Sequence, residues 1–258
     1  MLENLPVKWD MEADVVALGS GIGGLSAAIT AHDHGAKAII LERADQVGGV
    51  TALSLGEVWI AGNHLAEAGG IEDSSDSGYR YLKRLGMDYG DDVQMLNFAV
   101  HARVALKYFA DKAGLKMHYI KDCPDYYYGT TNDGIKEGRL LEVDPFPGSS
   151  LGDWQAKTRV SPHVPWGMTH HDIFAGGGFA NMKTWDFGIM GDRLTKDERC
   201  LGSGLAAYFV KAALDRKIPI ETNMNAEELI ADGERIVGVR ATKDGKNIFV
   251  KANKGVVI

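Results

Sequence analysis

A glycine-rich turn between a short apolar run and a helical pattern constrains the fold of this chain more than any other feature. The apolar run Asp14–Leu18 leads into Gly19-Ser20-Gly21-Ile22-Gly23-Gly24, and small and apolar residues then continue to about His34. A second apolar run, Ala38–Leu41, follows and ends at the acidic Glu42. This pattern is typical of a βαβ unit that binds a dinucleotide: a buried strand, a tight turn, a helix and a second strand that ends at an acidic residue. We therefore predict an ADP-binding site at this turn.

Each residue type in the turn has a physical reason. Gly19 allows a tight turn, Gly21 lets a pyrophosphate reach the backbone, and Gly24 lets the helix lie close to the strand. The phosphates would then meet N–H groups at the helix N-terminus, which the helix dipole also favours. Glu42 would accept hydrogen bonds from the adenosine ribose hydroxyls. The alternative is that these glycines, Gly23 included, make an ordinary strand-to-helix turn.

A second glycine-rich loop favours FAD over NAD as the dinucleotide. Its hydroxyl and backbone groups could surround the far half of an extended cofactor, and a domain that binds only NAD does not need them. The alternative is a surface loop rich in small residues. The loop residues that we assign to the cofactor are Gly48, Gly49, Thr51, Ala52, Ser54 and Gly56.

The composition excludes several classes of protein. The chain has 258 residues, of which 45% are hydrophobic, so it is globular. Its net charge of −7 and the absence of a Lys/Arg run argue against nucleic-acid binding. Cys123 and Cys200 match no metal or disulfide spacing, and no signal peptide or membrane span is evident. We expect a cytoplasmic protein with reduced thiols.

The remaining pattern predicts an α/β fold. Helices are expected up to Gly86, over 93–113 and over 204–217, and strands over 116–120 and 218–221. Asp-Gly dipeptides separate three strand-like segments, which predicts an antiparallel β-meander beside a parallel sheet. The segments are 228–231, 235–242 and 247–251. The segment 121–201 shows weak periodicity and is interpreted as a functional loop region. The sequence thus predicts one Rossmann-like FAD-binding domain over 1–258, and the apolar run Gly255–Ile258 predicts a buried strand at which the domain is left incomplete.

The motifs between Val15 and Asn63 resemble the FAD-dependent fumarate reductase/succinate dehydrogenase flavoprotein superfamily, and within it the 3-ketosteroid Δ1-dehydrogenases. Further stretches similar to that branch follow along nearly the whole chain. The matching stretches are the Gly19–Gly24 turn, Glu42-Arg43, the Gly48–Gly56 loop, Trp59-Ile60-x-x-Asn63, Pro124–Tyr127, Gly138-Arg139, Gly202–Leu205 and Ala226–Arg240.

The resemblance implies a reaction and site residues. Such enzymes pass a hydride from substrate to flavin N5 while a tyrosine-centred base removes a neighbouring proton, and the matching segment gives Tyr126 as first choice and Tyr127 as second. A phenol is a poor base at neutral pH unless its surroundings stabilise the phenolate. The alternative is that these tyrosines form an aromatic cluster that packs a loop. Arg43 and Ala226 lie in matching stretches and are assigned to the cofactor.

The resemblance also sets limits. No histidine lies between Glu42 and Asn63, so FAD is expected to be noncovalent, and Leu55 and Glu57 depart from the steroid branch. The family's chain continues beyond a strand like Gly255–Ile258, so the resemblance implies a substrate-capping domain that we expect to be absent from this chain. We expect a steroid-like apolar substrate. A reductase of small unsaturated acids and a noncatalytic FAD-binding module remain alternatives.

One further motif invites a metal interpretation. His170-His171-Asp172 places potential ligands side by side, but neighbouring side chains on a strand would point to opposite faces. No third ligand is spaced to join them. We therefore predict no metal site here.

Overall fold

The computed structural model describes residues 5–87 and 89–258 and divides the chain into two compact units. Unit 1 comprises Met1–Leu53, Gly148–Ser161 and Ala206–Ile258, and unit 2 comprises Ser54–Pro147 and Pro162–Leu205. The expectation that the whole chain forms one domain stays a prediction.

Strands and α-helices alternate along the described residues. The strands are β1 (Met11–Leu18), β2 (Ala38–Leu41), β3 (Val58–Trp59), β4 (Met117–Tyr119), β5 (Leu140–Val143), β6 (Phe146–Pro147), β7 (Glu198–Arg199), β8 (Ile220–Glu221), β9 (Asn225–Asp232), β10 (Arg235–Lys243) and β11 (Lys246–Val257). The helices are α1 (Ile22–Asp33), α2 (His64–Ala68), α3 (Ser75–Gly86), α4 (Asp92–Ala113), α5 (His170–Ala175), α6 (Phe187–Lys196) and α7 (Leu201–Asp215).

Unit 1 contains a six-stranded sheet in the order β8-β2-β1-β11-β10-β9. The strands β8, β2, β1 and β11 are parallel, whereas β10 pairs antiparallel with both β11 and β9. The predicted α/β class, with a parallel sheet and an antiparallel meander, is therefore confirmed.

The core of unit 1 explains why the first two strands form. All four residues of β2 are buried, as expected for a central parallel strand. Val16 and Ile39 pack with Val239 and Val250 from the meander in one apolar cluster. Helix α1 buries Leu25, Ala28 and Ile29.

Unit 2 is built on the three-stranded antiparallel sheet β3-β5-β4 and the paired helices α3 and α4. Ser74 and Asp91 cap these helices, since each side chain accepts a hydrogen bond from a backbone N–H of the first turn. Helix α4 ends at Gly114, which lies in the left-handed region and provides the stop that the sequence predicts.

Three sequence expectations need correction. The segment 121–201 is not simply a loop region, because it contains β5, β6, α5, α6 and β7. His170-His171-Asp172 begins a helix rather than a strand, because Thr169 forms a capping box with Asp172. The runs 247–251 and 255–258 are not two strands, because one strand, β11, includes nearly all of both. Gly255 and Val256 are half-buried, and Val257 and Ile258 are exposed rather than buried.

Strand β11 changes partner along its length. Lys246–Lys251 pairs antiparallel with β10, and Val250–Val257 pairs parallel with β1. One long strand therefore joins the meander to the parallel part of the sheet. Within the described part of the chain, no helix combines the length and apolarity that a membrane span requires.

Candidate functional site

The turn between β1 and α1 has the close approach that the fingerprint predicts. Gly19 has a φ of +93°, which few residues other than glycine adopt. A Cβ on Gly24 would lie 2.0 Å from the carbonyl oxygen of Gly19, so only glycine fits there. The helix thus begins directly against the turn.

The N-terminus of α1 is open at Gly21. This residue is the N-cap and carries no side chain to cap the helix, and its backbone angles are ones that any residue adopts. A Cβ on Gly21 would meet nothing nearer than Thr51 Oγ1, at 3.7 Å. The backbone N–H of Ile22 donates to the same Thr51 oxygen at 3.0 Å. The backbone therefore leaves room for a bulky anion beside a helix N-terminus.

Glu42 ties the turn to the second glycine-rich loop. Its buried carboxylate accepts hydrogen bonds from Ser20 N at 2.9 Å, Ser20 Oγ at 2.5 Å and Ala44 N at 2.9 Å. Ser20 Oγ in turn accepts from Gly48 N at 3.0 Å. Sequence reasoning missed Ser20, although a polar residue inside the fingerprint was a visible signal. Glu42 has a role in shaping the site, and its predicted contact with a ribose stays a prediction.

These groups line one groove in unit 1, of about 440 Å³, which we call the dinucleotide groove. It contains six of the predicted cofactor residues and several that the sequence did not single out. The predicted residues are Gly19, Gly21, Glu42, Arg43, Gly49 and Ala226, and the additional ones are Leu18, Ser20, Leu41, Val50, Met224, Asn225 and Ile258. Residues from four parts of the sequence, 18–21, 41–50, 224–226 and 258, therefore meet at one cleft.

The other assigned cofactor residues are distributed around this arrangement. Gly23 and Gly24 lie in α1, and Gly48 and Ala52 belong to the second loop, where Ala52 N donates to Gly48 O at 3.1 Å. Ser54 and Gly56 belong to unit 2.

Gly56 has a packing role within unit 2. A Cβ there would lie 2.4 Å from the backbone nitrogen of Gly202, at the start of α7. Gly202 N donates to Ser54 O at 3.2 Å. This segment of the loop is therefore fixed against α7.

The predicted catalytic tyrosines lie in unit 2 and are both exposed. Tyr126 Oη donates to Glu57 Oε2, and Tyr127 N donates to Tyr81 Oη at 3.1 Å. Partial burial and the hydrogen bond to Glu57 raise the pKa of Tyr126 above its usual value. Glu57 thus stabilises the neutral phenol of Tyr126. A tyrosine that is already a base in the resting enzyme would instead have to be a phenolate.

Asp125, next to Tyr126, belongs to a buried charge network centred on Arg139. The guanidinium binds Asp73 through Nη2 at 2.6 Å and Asp125 through Nη1 at 2.9 Å. Trp59 Nε1 donates to the other Asp125 oxygen at 2.7 Å, and its ring lies 5.3 Å from the Arg139 guanidinium carbon. The network fixes the backbone from which Tyr126 projects.

Glu142 forms a second buried polar cluster. One oxygen accepts from His118 Nε2 at 3.1 Å and His171 N at 2.8 Å, and the other accepts from His170 N at 2.6 Å. Hydrogen bonds to Glu142 and Asp144 raise the pKa of His118 to about 9. This carboxylate therefore joins β4 and β5 to the first turn of α5.

Among the described residues, no group of three or more His, Cys, Asp or Glu side chains could hold a metal ion. Cys123 and Cys200 are unbridged, and burial raises the pKa of each thiol, to about 11 and about 12. Both are neutral thiols at physiological pH.

Known proteins resemble this arrangement. A 4-oxocyclohexanecarboxylate 2-dehydrogenase from Sinomonas cyclohexanicum is 28% identical over 233 residues, covering 88% of this chain and 40% of that protein. A 3-oxosteroid 1-dehydrogenase from Mycolicibacterium smegmatis is 26% identical over 263 residues, covering 96% and 46%.

A solved structure shows the same fold. The 3-ketosteroid Δ1-dehydrogenase from Sterolibacterium denitrificans, in complex with 1,4-androstadiene-3,17-dione, matches with a TM-score of 0.83 and 27% identity. The match covers 95% of this chain and 47% of that one. The expected resemblance to 3-ketosteroid dehydrogenases is confirmed, and this chain spans less than half the length of these relatives.

The family assignment rests on almost the whole sequence. A family model described as an FAD binding domain matches residues 14–258, which include both the fingerprint turn and the meander. The dinucleotide groove fits this cofactor, because Gly21 leaves the helix N-terminus accessible where a pyrophosphate would lie. This protein belongs to the FAD binding domain family, and its cofactor is FAD.

Proposed function

We propose that this chain holds the FAD of a dehydrogenase that acts on a cyclic ketone of the 3-ketosteroid type. The observation that carries the proposal is shared chemistry among the relatives. A 4-oxocyclohexanecarboxylate dehydrogenase and a 3-oxosteroid dehydrogenase both remove hydrogen from a ring that bears a ketone. Their similarity extends over most of this chain.

FAD supplies the hydride acceptor in such a reaction. The residues of this chain would hold it: the N-terminus of α1 and Gly21 would bind the pyrophosphate and Glu42 the ribose, and Ala226 lines the same groove. The binding is noncovalent, since the sequence offers no histidine between Glu42 and Asn63.

Tyr126 is the proposed proton acceptor, with Tyr127 as second choice. A C–H bond next to a ketone is acidic enough for a positioned side chain to remove its proton. Tyr126 is 73% exposed and so is accessible to a substrate, whereas an aromatic cluster that only packs a loop would bury its rings.

Cofactor binding is tested with the purified full chain and added FAD. We expect a bound flavin spectrum in the wild type and none in Gly21→Val, whose side chain would occupy the place of the pyrophosphate. The apoprotein of Gly21→Val should unfold at the wild-type urea concentration, because the site has room and an unstrained backbone. A variant that binds FAD normally would contradict the assignment of Gly21.

The substrate class is tested by anaerobic bleaching of the bound flavin. We expect 4-androstene-3,17-dione or 4-oxocyclohexanecarboxylate to bleach it, and Tyr126→Phe to slow the bleaching by roughly 10²–10⁴-fold. Reoxidation of the reduced flavin by fumarate would instead identify a reductase of small unsaturated acids. No response to any of these compounds would identify a noncatalytic FAD-binding module.

A further inference from the structure

Tyr126 stands at the outer end of a chain of polar groups that runs into the interior of unit 2. Glu57 Oε2 accepts a hydrogen bond from the hydroxyl of Tyr126, and Glu57 Oε1 lies 3.3 Å from Nδ1 of His170. Exposure falls along this chain: Tyr126 is 73% exposed, the side chain of Glu57 14% and that of His170 1%.

The partners of His170 fix where its protons lie. Nε2 is 3.2 Å from the carbonyl oxygen of Leu55, which can only accept, so Nε2 carries a hydrogen. Nδ1 is buried, and no donor among the described residues satisfies it. In a neutral imidazole with this tautomer, Nδ1 would present a lone pair to the oxygen of Glu57. Two facing acceptors in a site closed to solvent repel each other, so one proton lies between them.

Two neighbouring groups complete the surroundings of this pair. The ring of Phe179 packs edge-on against the ring of His170, with centroids 5.9 Å apart. Burial, followed by the charge of Glu57, raises the pKa of the Cys123 thiol to about 11, so the thiol stays neutral. Among the described residues, the titratable groups shown in contact with the Glu57 carboxylate are Tyr126 and His170, and the charges of Glu142 and Asp125 also act on Cys123.

We propose that Glu57 and His170 share one proton beneath Tyr126 and that this pair serves as the proton relay of the tyrosine. The inference deepens the proposed function and rests on it. Glu57 and His170 are positioning residues, since neither is required to touch the substrate.

The relay resolves how a neutral phenol can serve as base. As the C–H bond next to the ketone breaks, its proton goes to Tyr126 Oη, and the original hydroxyl proton passes to Glu57 Oε2. The electron pair left on carbon forms the new C=C bond, and FAD, when bound, would supply the acceptor for the hydride that leaves the neighbouring carbon. As the hydroxyl proton reaches Oε2, the shared proton passes from Oε1 to His170 Nδ1, so Glu57 carries one proton, which it later returns to water through Tyr126. No free phenolate forms in the resting enzyme.

The shared proton is tested by spectroscopy on the full chain loaded with FAD. With ¹⁵N-labelled histidine, His170→Asn identifies the His170 signals. We expect either a protonated Nδ1 or the C=O stretch of a protonated Glu57 in the infrared spectrum, and Glu57→Gln should remove whichever is present. Glu67→Gln, at an exposed position on α2, should leave both unchanged. An unprotonated Nδ1 together with an ionised Glu57 would overturn the proposal.

The relay role is tested by bleaching kinetics. We expect Glu57→Gln to slow bleaching by a cyclic ketone by roughly 10²–10⁴-fold without changing FAD affinity, and Glu57→Asp to recover part of the rate. The solvent deuterium isotope effect should fall in Glu57→Gln, because a second proton no longer moves. Bleaching of Glu57→Gln at the wild-type rate would overturn the relay. If no cyclic ketone bleaches the wild type, the proposed function and the relay both fail, while the spectroscopic result still decides the shared proton.

Discussion

At the scale of single residues, Gly23 and Gly24 are neighbours in α1 with opposite surroundings. A Cβ on Gly24 would lie 2.0 Å from the backbone of Gly19, whereas one on Gly23 would meet nothing within 4 Å. Two identical substitutions one residue apart therefore separate the effect of close packing from that of helix propensity.

We predict that Gly24→Ala lowers the free energy of unfolding by about 1–3 kcal/mol and weakens FAD binding, because the turn must move. Gly23→Ala should leave the apoprotein as stable as the wild type or more stable by about 0.5–1 kcal/mol, since alanine favours the helix. Urea unfolding of both apoproteins measures the difference. Equal effects of the two substitutions would contradict the packing assigned to Gly24.

At the scale of elements, buried charges fasten loops to strands in unit 2. Arg139 follows directly on Gly138 and immediately precedes β5, and its guanidinium neutralises Asp73 and Asp125, which belong to two separate loops. Removing the guanidinium would leave two buried carboxylates without a counter-charge.

We predict that Arg139→Met lowers the free energy of unfolding by about 3–5 kcal/mol, because breaking a buried ion pair leaves an uncompensated charge. Methionine keeps most of the packing against Trp59. Arg240→Met, on the surface of the meander, removes exposed ion pairs and should change stability little. Urea unfolding at neutral pH compares them, and similar losses would contradict the role assigned to Arg139.

The Glu142 cluster makes stability depend on pH. Its partner His118 has a pKa of about 9 in the folded chain, above the ordinary 6.5. The stabilisation is therefore complete below pH 6.5 and is lost as the pH rises through about 9. We predict that the unfolding free energy falls over this interval and that His118→Gln makes the fall shallower. His101→Gln, at an exposed position on α4, is the control, and a wild-type slope in His118→Gln would refute the assignment.

The sequence predicted some of these elements and missed others. Strands β1 and β2 and helices α1 and α4 were predictable within a few residues, because their patterns of burial and their glycine stops are local. Helix α5 was missed although its capping box, Thr169 with Asp172, is local; the further support of its first turn by Glu142, 28 residues before His170, is not visible in the sequence. Six of the 13 residues that line the groove were predicted from the sequence, three of them glycines, whereas the contact between Glu57 and His170 depends on residues far apart in the sequence.

At the scale of the whole molecule, FAD and folding are coupled. A ligand that binds only the folded state stabilises it by about 2.7 kcal/mol at a concentration one hundred times its Kd. The dinucleotide groove lies in unit 1 and is formed by four segments of the sequence, so binding requires all of them to be folded.

We predict that FAD raises the thermal unfolding temperature in a concentration-dependent manner and that ADP alone gives part of this effect. Riboflavin, which lacks the ADP half, should give much less at equal concentration. Gly21→Val should abolish the response to ADP. Stabilisation by riboflavin but not by ADP would show that the groove has been assigned to the wrong half of the cofactor.

Strand β11 has a consequence for the order in which the chain can fold. It is the parallel neighbour of β1, so Met11–Ala17 must pair with residues about 240 positions later. The ribosome completes β1 and β2 early, but one edge of β1 stays open until the meander has been made. Closing so long a loop is slow, and an open strand edge can pair with other chains in the meantime. The hairpin of β10 and β11 folds locally and then closes that edge. Protection of the nascent chain from aggregation therefore depends on residues that are made long after the strand they protect.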